Sequence, residues 1–213
     1  MTRSRLGGRA AADQLVSLDP AFAPVVEWAG PFRARKRNAD GAFGALARSI
    51  VFQQLAGRAA AAIHGRFRAL VDGDLTPEAV LALPDDALRG AGLSGSKAAS
   101  IRDLAAKVAD GTVPVDRLQR LDDEEVVSRL VTVRGIGRWT AEMFLIFELG
   151  RLDVWPVDDL GVRNGFALVQ DLVPAPTAKQ LAPLGERYRP IRSVAAWYCW
   201  QAVHLARGDD PPR

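Results

Sequence analysis

An all-α fold is what the sequence predicts. No strand pattern appears anywhere, Ala and Leu dominate, and helix start and stop signals recur along the whole length. At 213 residues and 23.0 kDa the chain suits one large domain or two small ones, long enough to bury a core without staples. Its 48% hydrophobic and 25% charged residues are globular values that argue against disorder.

In order, residues 12–18 and 20–28 read as short helices around Asp19-Pro20, and 31–40, PFRARKRNAD, as a basic loop. Asp40 is placed to cap a helix over 41–55; Gly57 breaks it, and 58–71 forms the next. Thr76-Pro77-Glu78 combines a capping hydroxyl, a proline at the first helical position and an acid facing the positive end of the dipole. Pro84-Asp85-Asp86 opens a short helix ending near Gly90 or Gly92. Ser94 or Ser96 opens one through Ala109, closed by Gly111, and Asp122 starts another ending near Val131. A glycine pair then makes a tight turn before a helix over 138–149. After a loop at 151–157 come helices over 159–171, 177–187 and 192–206, and GDDPPR is a stop. About ten helices with short links result, without an internal repeat or a linker that forces a domain cut.

Composition narrows the chemistry. A single cysteine, Cys199, leaves no intramolecular disulfide and no four-cysteine zinc or iron–sulfur site. Cys199 reads as inert in an apolar helix, and His64 and His204, 140 positions apart, form no metal motif and read as packing or surface residues. No apolar run approaches the roughly 18–20 residues of a membrane span, and the first residues show no secretory signal, so a cytoplasmic location is expected. A formal charge of +3 and a pI near 9.4 permit a nucleic-acid partner.

The informative stretch is 130–165. Gly135-Ile136-Gly137 lies between two helical patterns, where glycine permits positive φ and close backbone approach. The next helix begins at about Arg138, so its N–H groups and dipole point into the turn, a geometry that binds phosphate, with Arg138 and Thr140 as further donors. A plain bend in a helical bundle accounts for the same residues. Some twenty residues on, Val157-Asp158-Asp159-Leu160 precedes a helix. One of the two aspartates is its N-cap; the second carboxylate, set near an apolar pocket, would stabilise a cation.

GIGRWTAEMFL followed by WPVDDLGVRNG resembles the helix–hairpin–helix superfamily of DNA glycosylases, in its 3-methyladenine DNA glycosylase II (AlkA-type) branch. IVFQQLAGRAAAAIHGRF, AGLSGSKAASIRDLA and RYRPIRSVAAWYCW extend the resemblance over about 40–206. It implies two helical lobes with a helix–hairpin–helix motif and a cleft between them. Residues 40–206 would form the glycosylase domain, 1–39 a helical segment packing on it, and 207–213 a tail, a compact form without the β-rich N-terminal lobe of the bacterial inducible member.

The resemblance also implies base excision from double-stranded DNA containing damaged bases, by a monomer without a membrane partner, acting on chromosomal DNA. Members that also cut the strand use a lysine in the hairpin; here that position is Trp139, which cannot form a Schiff base, so a monofunctional enzyme using water is expected. Asp159 falls on the catalytic aspartate, stabilising an oxocarbenium-like sugar and positioning water, with Asp158 left as the capping or structural partner. No general acid stands out, which fits alkylated purines such as 3-methyladenine and 7-methylguanine, whose cationic bases leave readily.

Gln53, Gln54 and Leu55 occupy the family's wedge loop, and the sequence leaves open which of them fills the gap in the stack. Trp139, Trp200 and Phe52 are expected to line the base pocket by stacking and cation–π attraction, with Met143 where the branch carries a tyrosine. Trp28 and Trp197 read equally as core or pocket, and RARKR at 33–37, Lys97 and Arg102 as solvated basic residues. Main-chain carbonyls of Val131, Val133 and Ile136 match the family's site for a monovalent cation, Na+ or K+, and no other cofactor is implied. Rival functions are a non-catalytic helix–hairpin–helix module that only binds DNA, and a glycosylase for uracil, hypoxanthine or an oxidised purine.

Overall fold

A computed structural model describes residues 7–33, 37–84 and 86–212; Asp85 and the middle of the RARKR segment, both singled out above, lie outside the described residues. Among the described residues there are twelve α-helices, three short 3-10 turns and no strand. The helices group into two compact units, one of Met1–Arg35 with Gly150–Arg213 and one of Lys36–Leu149.

The unit Lys36–Leu149 contains α3 (Gly41–Phe52), α4 (Gly57–Arg68), α5 (Pro77–Leu81), α6 (Ala87–Gly90), α7 (Gly95–Ala109), α8 (Asp123–Leu130) and α9 (Arg138–Phe147). Its start signals work as the sequence suggests at three places. The hydroxyls of Thr76 and Ser94 accept from the N–H groups of Ala79 and Lys97, and the Asp122 carboxylate accepts from that of Glu125. Each such cap stabilises its helix by about 1 kcal/mol. α7 packs against α3 and α5, and its apolar face buries Ala98, Ile101, Leu104 and Ala105.

Three expectations fail here. Asp40 does not cap α3: its carboxylate accepts from Arg68 Nε at 2.9 Å instead, and its N–H donates to Asn38 Oδ1. Gly57 does not break α3 either. The helix ends at Phe52, where Gln53 turns the chain out with ψ 133°, and Gly57 opens α4. Lys97 is the reason for the early stop: its ammonium donates to the carbonyls of Val51 and Gln53, both at 2.6 Å, and so closes the end of α3. Lys97 and Arg102 are therefore not solvated cations, since Arg102 donates to the carbonyls of Leu83 and Pro84.

The other unit contains α1 (Gly8–Leu18), α2 (Ala23–Ala29), α10 (Leu160–Val169), α11 (Ala178–Leu184) and α12 (Arg192–Arg207). α12 is its axis, packed by α1, α2 and α10. Backbone approaches so closely at α10 that a Cβ on Gly165 would collide with the carbonyl of Cys199. Asp19 ties the N-terminal helices into this unit: buried, it accepts from Tyr188 Oη at 2.6 Å and Gln170 Nε2 at 2.8 Å, and its other oxygen caps the turn at Ala21. Trp197 belongs to this core, edge-on to Phe32 and Tyr198, and Trp28 packs against the same cluster. Cys199 is fully buried, and burial pushes its thiol well above the usual range, so it is the inert residue expected.

Candidate functional site

In the unit Lys36–Leu149 the chain turns between α8 and α9 through 131–137. Gly135 has φ +79°, and a Cβ there would stand 2.8 Å from Ser100 Oγ, so both conformation and space demand glycine. Gly137 is different. It is the N-cap of α9 in extended conformation (φ −93°, ψ 173°), no side chain caps the helix, and a Cβ there would meet nothing. Two glycines two positions apart thus do separate jobs: one turns the chain, the other leaves the positive end of a helix without a side-chain cap.

The turn is held from below by one face of α7. Asp103 Oδ2 accepts from the Arg134 N–H at 2.7 Å and from Lys107 Nζ at 2.9 Å, and Lys107 also donates to the Thr132 carbonyl. Burial pushes the Asp103 carboxyl up, but these two donors outweigh it and hold it below the usual carboxylate value. From the other side Gln53 Nε2 donates to the Gly135 carbonyl at 2.9 Å. Ser100, Asp103 and Lys107 are not singled out from sequence, although they share one helix face at spacings of three and four, and Gln53 is expected only as a wedge residue.

Of the expected backbone-gripping residues, the two glycines lie in the turn and at the start of α9, and both side chains are engaged within the fold. Thr140 is 7% exposed. Arg138 donates to both oxygens of Glu124 and to Glu142 Oε1 at 3.2 Å, which binds α9 to α8 and raises its pKa, so a phosphate reaching it must compete with two carboxylates. For a monovalent cation, Val131, Val133 and Ile136 offer neutral oxygens of the right hardness, with one lone pair of Val133 already accepting from the Ile136 N–H.

The wedge-loop residues separate. Gln53 is tied to the turn, whereas Gln54 takes φ +54°, rare outside glycine, and Leu55 is 40% exposed. Phe52 carries the Arg48 guanidinium over its ring at 3.8 Å and sits edge-on to His64, so one face already stacks a cation. Trp139 is 46% exposed and Met143 half-buried.

In the other unit Asp159 sits at the N-terminus of α10, and here the roles given to the aspartate pair are corrected. Asp158 is exposed, and Asp159 itself is the cap: its Oδ1 accepts from the Val162 N–H at 2.8 Å. The same oxygen accepts from Trp200 Nε1 at 2.9 Å, and the residue is 8% exposed. One oxygen meets both donors because the indole of α12 reaches the first turn of α10. It reaches it across Gly161, where a Cβ would stand 2.7 Å from Trp200 Cδ1 and 3.1 Å from Asp159 Oδ1. The preceding loop is equally fixed: the Val154 N–H donates to Ser193 Oγ at 2.9 Å and Trp155 Nε1 to the Leu181 carbonyl at 3.1 Å. Gly161 lies within the WPVDDLGVRNG motif, but its job is visible only once Trp200 is in place.

Residues 47–190 match the family model of the HhH-GPD superfamily of base excision DNA repair proteins. The chain belongs to that superfamily. It is 36% identical over 203 residues to the DNA-3-methyladenine glycosylase 1 of Schizosaccharomyces pombe, covering 93% of this chain and 89% of the relative. Its fold is similar to that of the Schizosaccharomyces pombe 3-methyladenine DNA glycosylase solved in complex with abasic DNA (TM-score 0.79, 35% identity, 90% and 95% of the two chains). It is also similar to a DNA-3-methyladenine glycosidase from Bacillus halodurans (TM-score 0.84, 34% identity, 94% and 93%). The HhH-GPD match spans both the glycine turn and Asp159. Among the described residues no helix is long and apolar enough to cross a membrane.

Proposed function

We propose that this chain is a monofunctional DNA glycosylase of the 3-methyladenine type II kind, releasing alkylated purines from duplex DNA by hydrolysis. The observation that carries the reading is Asp159, a buried carboxylate whose position is fixed by two donors on one oxygen, the Val162 N–H and the Trp200 indole. A module that only bound DNA would use the cap at Val162, but it would not need the same oxygen held a second time by the Trp200 indole. The two donors set the rotamer before any substrate arrives, so no reorganisation is needed as charge develops.

In the proposed reaction the bond between C1′ and the purine nitrogen breaks, the electron pair leaves with the base, and positive charge builds on the sugar. Asp159 stabilises that charge and orients the water whose oxygen bonds to C1′; the water's proton passes to the carboxylate or to solvent. A purine methylated at N3 or N7 is already cationic and leaves without a strong acid. The target nucleotide must leave the stack, and the exposed Gln54 and Leu55 suit the gap better than the tethered Gln53. Trp139 and Trp200 are the aromatic faces offered to the base, with Met143 and Phe52 in lesser roles. The backbone grip falls to Gly135, Gly137 and the first turn of α9, supported by the similarity to a relative solved with abasic DNA. A sodium or potassium ion on the carbonyls of Val131, Val133 and Ile136 would reinforce it.

The test is release of free base from methylated duplex DNA by wild type and Asp159→Asn. Asn keeps the capping oxygen while removing the charge, so the variant folds and binds DNA while losing base release. Retained release, or release of uracil or an oxidised purine in preference to 3-methyladenine, overturns the reading. With Trp139 in the lysine position, borohydride traps no covalent adduct.

A further inference from the structure

We infer that Lys97 is a positioning residue for base flipping: acting through α7, it locks the loop after α3 to the turn before α9, so that the wedge and the backbone grip meet DNA at a fixed spacing. The inference rests on the glycosylase reading above.

Lys97 stands in the first turn of α7, at the positive end of the helix, where a cation is disfavoured. It is half-buried, which disfavours its charge again and lowers its pKa. Both costs are offset by the last carbonyls of α3, at the negative end of that helix: Val51 O and Gln53 O, each 2.6 Å from Nζ. The cation is thus spent on fixing where α3 stops. Just beyond, Gln54 is held at φ +54°, a conformation disfavoured for a non-glycine residue that persists only where neighbours over-determine it. Lys97 on one side and the Gln53–Gly135 bond on the other are those neighbours.

The same helix holds the turn. Ser100 lies under Gly135, Asp103 accepts from the Arg134 N–H, and Lys107 donates to the Thr132 carbonyl. One face of α7 therefore grips the end of α3 at its start and the glycine turn along its length, with Gln53 closing the ring. A wedge set 1 Å wrong against a backbone grip loses the alignment that flipping needs, at a cost of up to about 100-fold in rate.

The experiment uses the full chain with Lys97→Met, Lys97→Arg and Gln53→Met. It reads single-turnover base release from methylated duplex, brightening of a 2-aminopurine placed beside the target base, and affinity for undamaged duplex. In Lys97→Met, release and brightening slow together by about 10–100-fold, while affinity for undamaged duplex, set by phosphate contacts, changes less than about threefold. Lys97→Arg, which also donates to two carbonyls, restores most of the rate. Wild-type rates of both readouts in a folded Lys97→Met overturn the inference. Should Lys97→Met fail to fold, Gln53→Met, which breaks only the surface tether, decides by the same readouts. If the wild type releases no base, the glycosylase reading falls, and the brightening rate alone still decides the role of Lys97.

Discussion

The first turns of α9 and α10 are opposite solutions to one problem. Every helix begins with N–H groups that lack an internal partner and with the positive end of its dipole. α10 meets this from within: Asp159 fills the position, Val162 donates to it, and Trp200 holds the carboxylate from outside. α9 begins at Gly137, which has no side chain to fold back, in a conformation open to any residue and with free space where a Cβ would stand. The bare end suits an anion supplied by a ligand. The filled end repels one and, in the proposed reaction, would present a fixed carboxylate to a developing cation. For a protein proposed to hold a phosphate backbone while it breaks a sugar–base bond, the two ends are complementary.

The largest effect comes from removing the charge at the filled end. Asp159→Asn lowers the single-turnover rate of base release by about 100–1,000-fold, the scale on which loss of one electrostatic contact to a transition state is felt. Next is Gly161→Ala. A methyl group there lies within 2.7 Å of the Trp200 ring, so the indole shifts and its bond to Asp159 lengthens. Base release falls by about 10–100-fold with the carboxylate still present, and melting shows the variant destabilised by about 1–3 kcal/mol. An unchanged rate would show that the indole serves packing alone.

Much of this contrast was legible in the sequence, because caps and glycine turns are local. Thr76, Ser94 and Asp122 announce their helices through hydrogen bonds spanning three residues, and Gly135 with Gly137 marks the turn. Errors arose where a distant partner outbid the local one. Asp40 was read as a cap, but Arg68, 28 positions away, takes its carboxylate. The family pattern assigns the cap to Asp158, but Asp159 is the cap, and its oxygen also meets the indole of Trp200, 41 positions on. Lys97 was read as a surface cation because nothing adjacent shows that the end of α3 arrives at its ammonium. The N-terminal segment was similarly mute: Asp19 acquires its meaning only from Tyr188, 169 positions away.

A smaller effect is expected from filling the bare end. Gly137 already has an extended backbone and room for a side chain, so Gly137→Asp builds on α9 the cap that α10 has. Stability rises by a few tenths of a kcal/mol, while affinity for undamaged duplex falls by about 10-fold and its salt dependence becomes shallower, as loss of a phosphate contact requires. Thermal melts and anisotropy titrations over a salt series read the two signs separately. A variant that is stabilised yet binds DNA as well as wild type would remove α9 from the interface.

The smallest effect concerns how the bare end is kept open. Asp103 braces the turn by accepting from the Arg134 N–H and from Lys107, and these donors hold its pKa below the ordinary value of 3.8 in spite of burial. A depressed carboxyl contributes stability that is in full force above its unfolded pKa and is lost as pH falls through the folded one. The brace is therefore complete at neutral pH and fails only in acid, below the usual carboxylate range. Asp103→Asn removes that titration. Its melting temperature lies below wild type at pH 7, and the two curves converge as pH is lowered. Because Asn still accepts from the Arg134 N–H, the turn keeps its shape and DNA affinity at neutral pH stays within about threefold, the phosphate contacts being unchanged. Parallel melting curves across that range would mean that the Asp103 charge has no part in holding the turn.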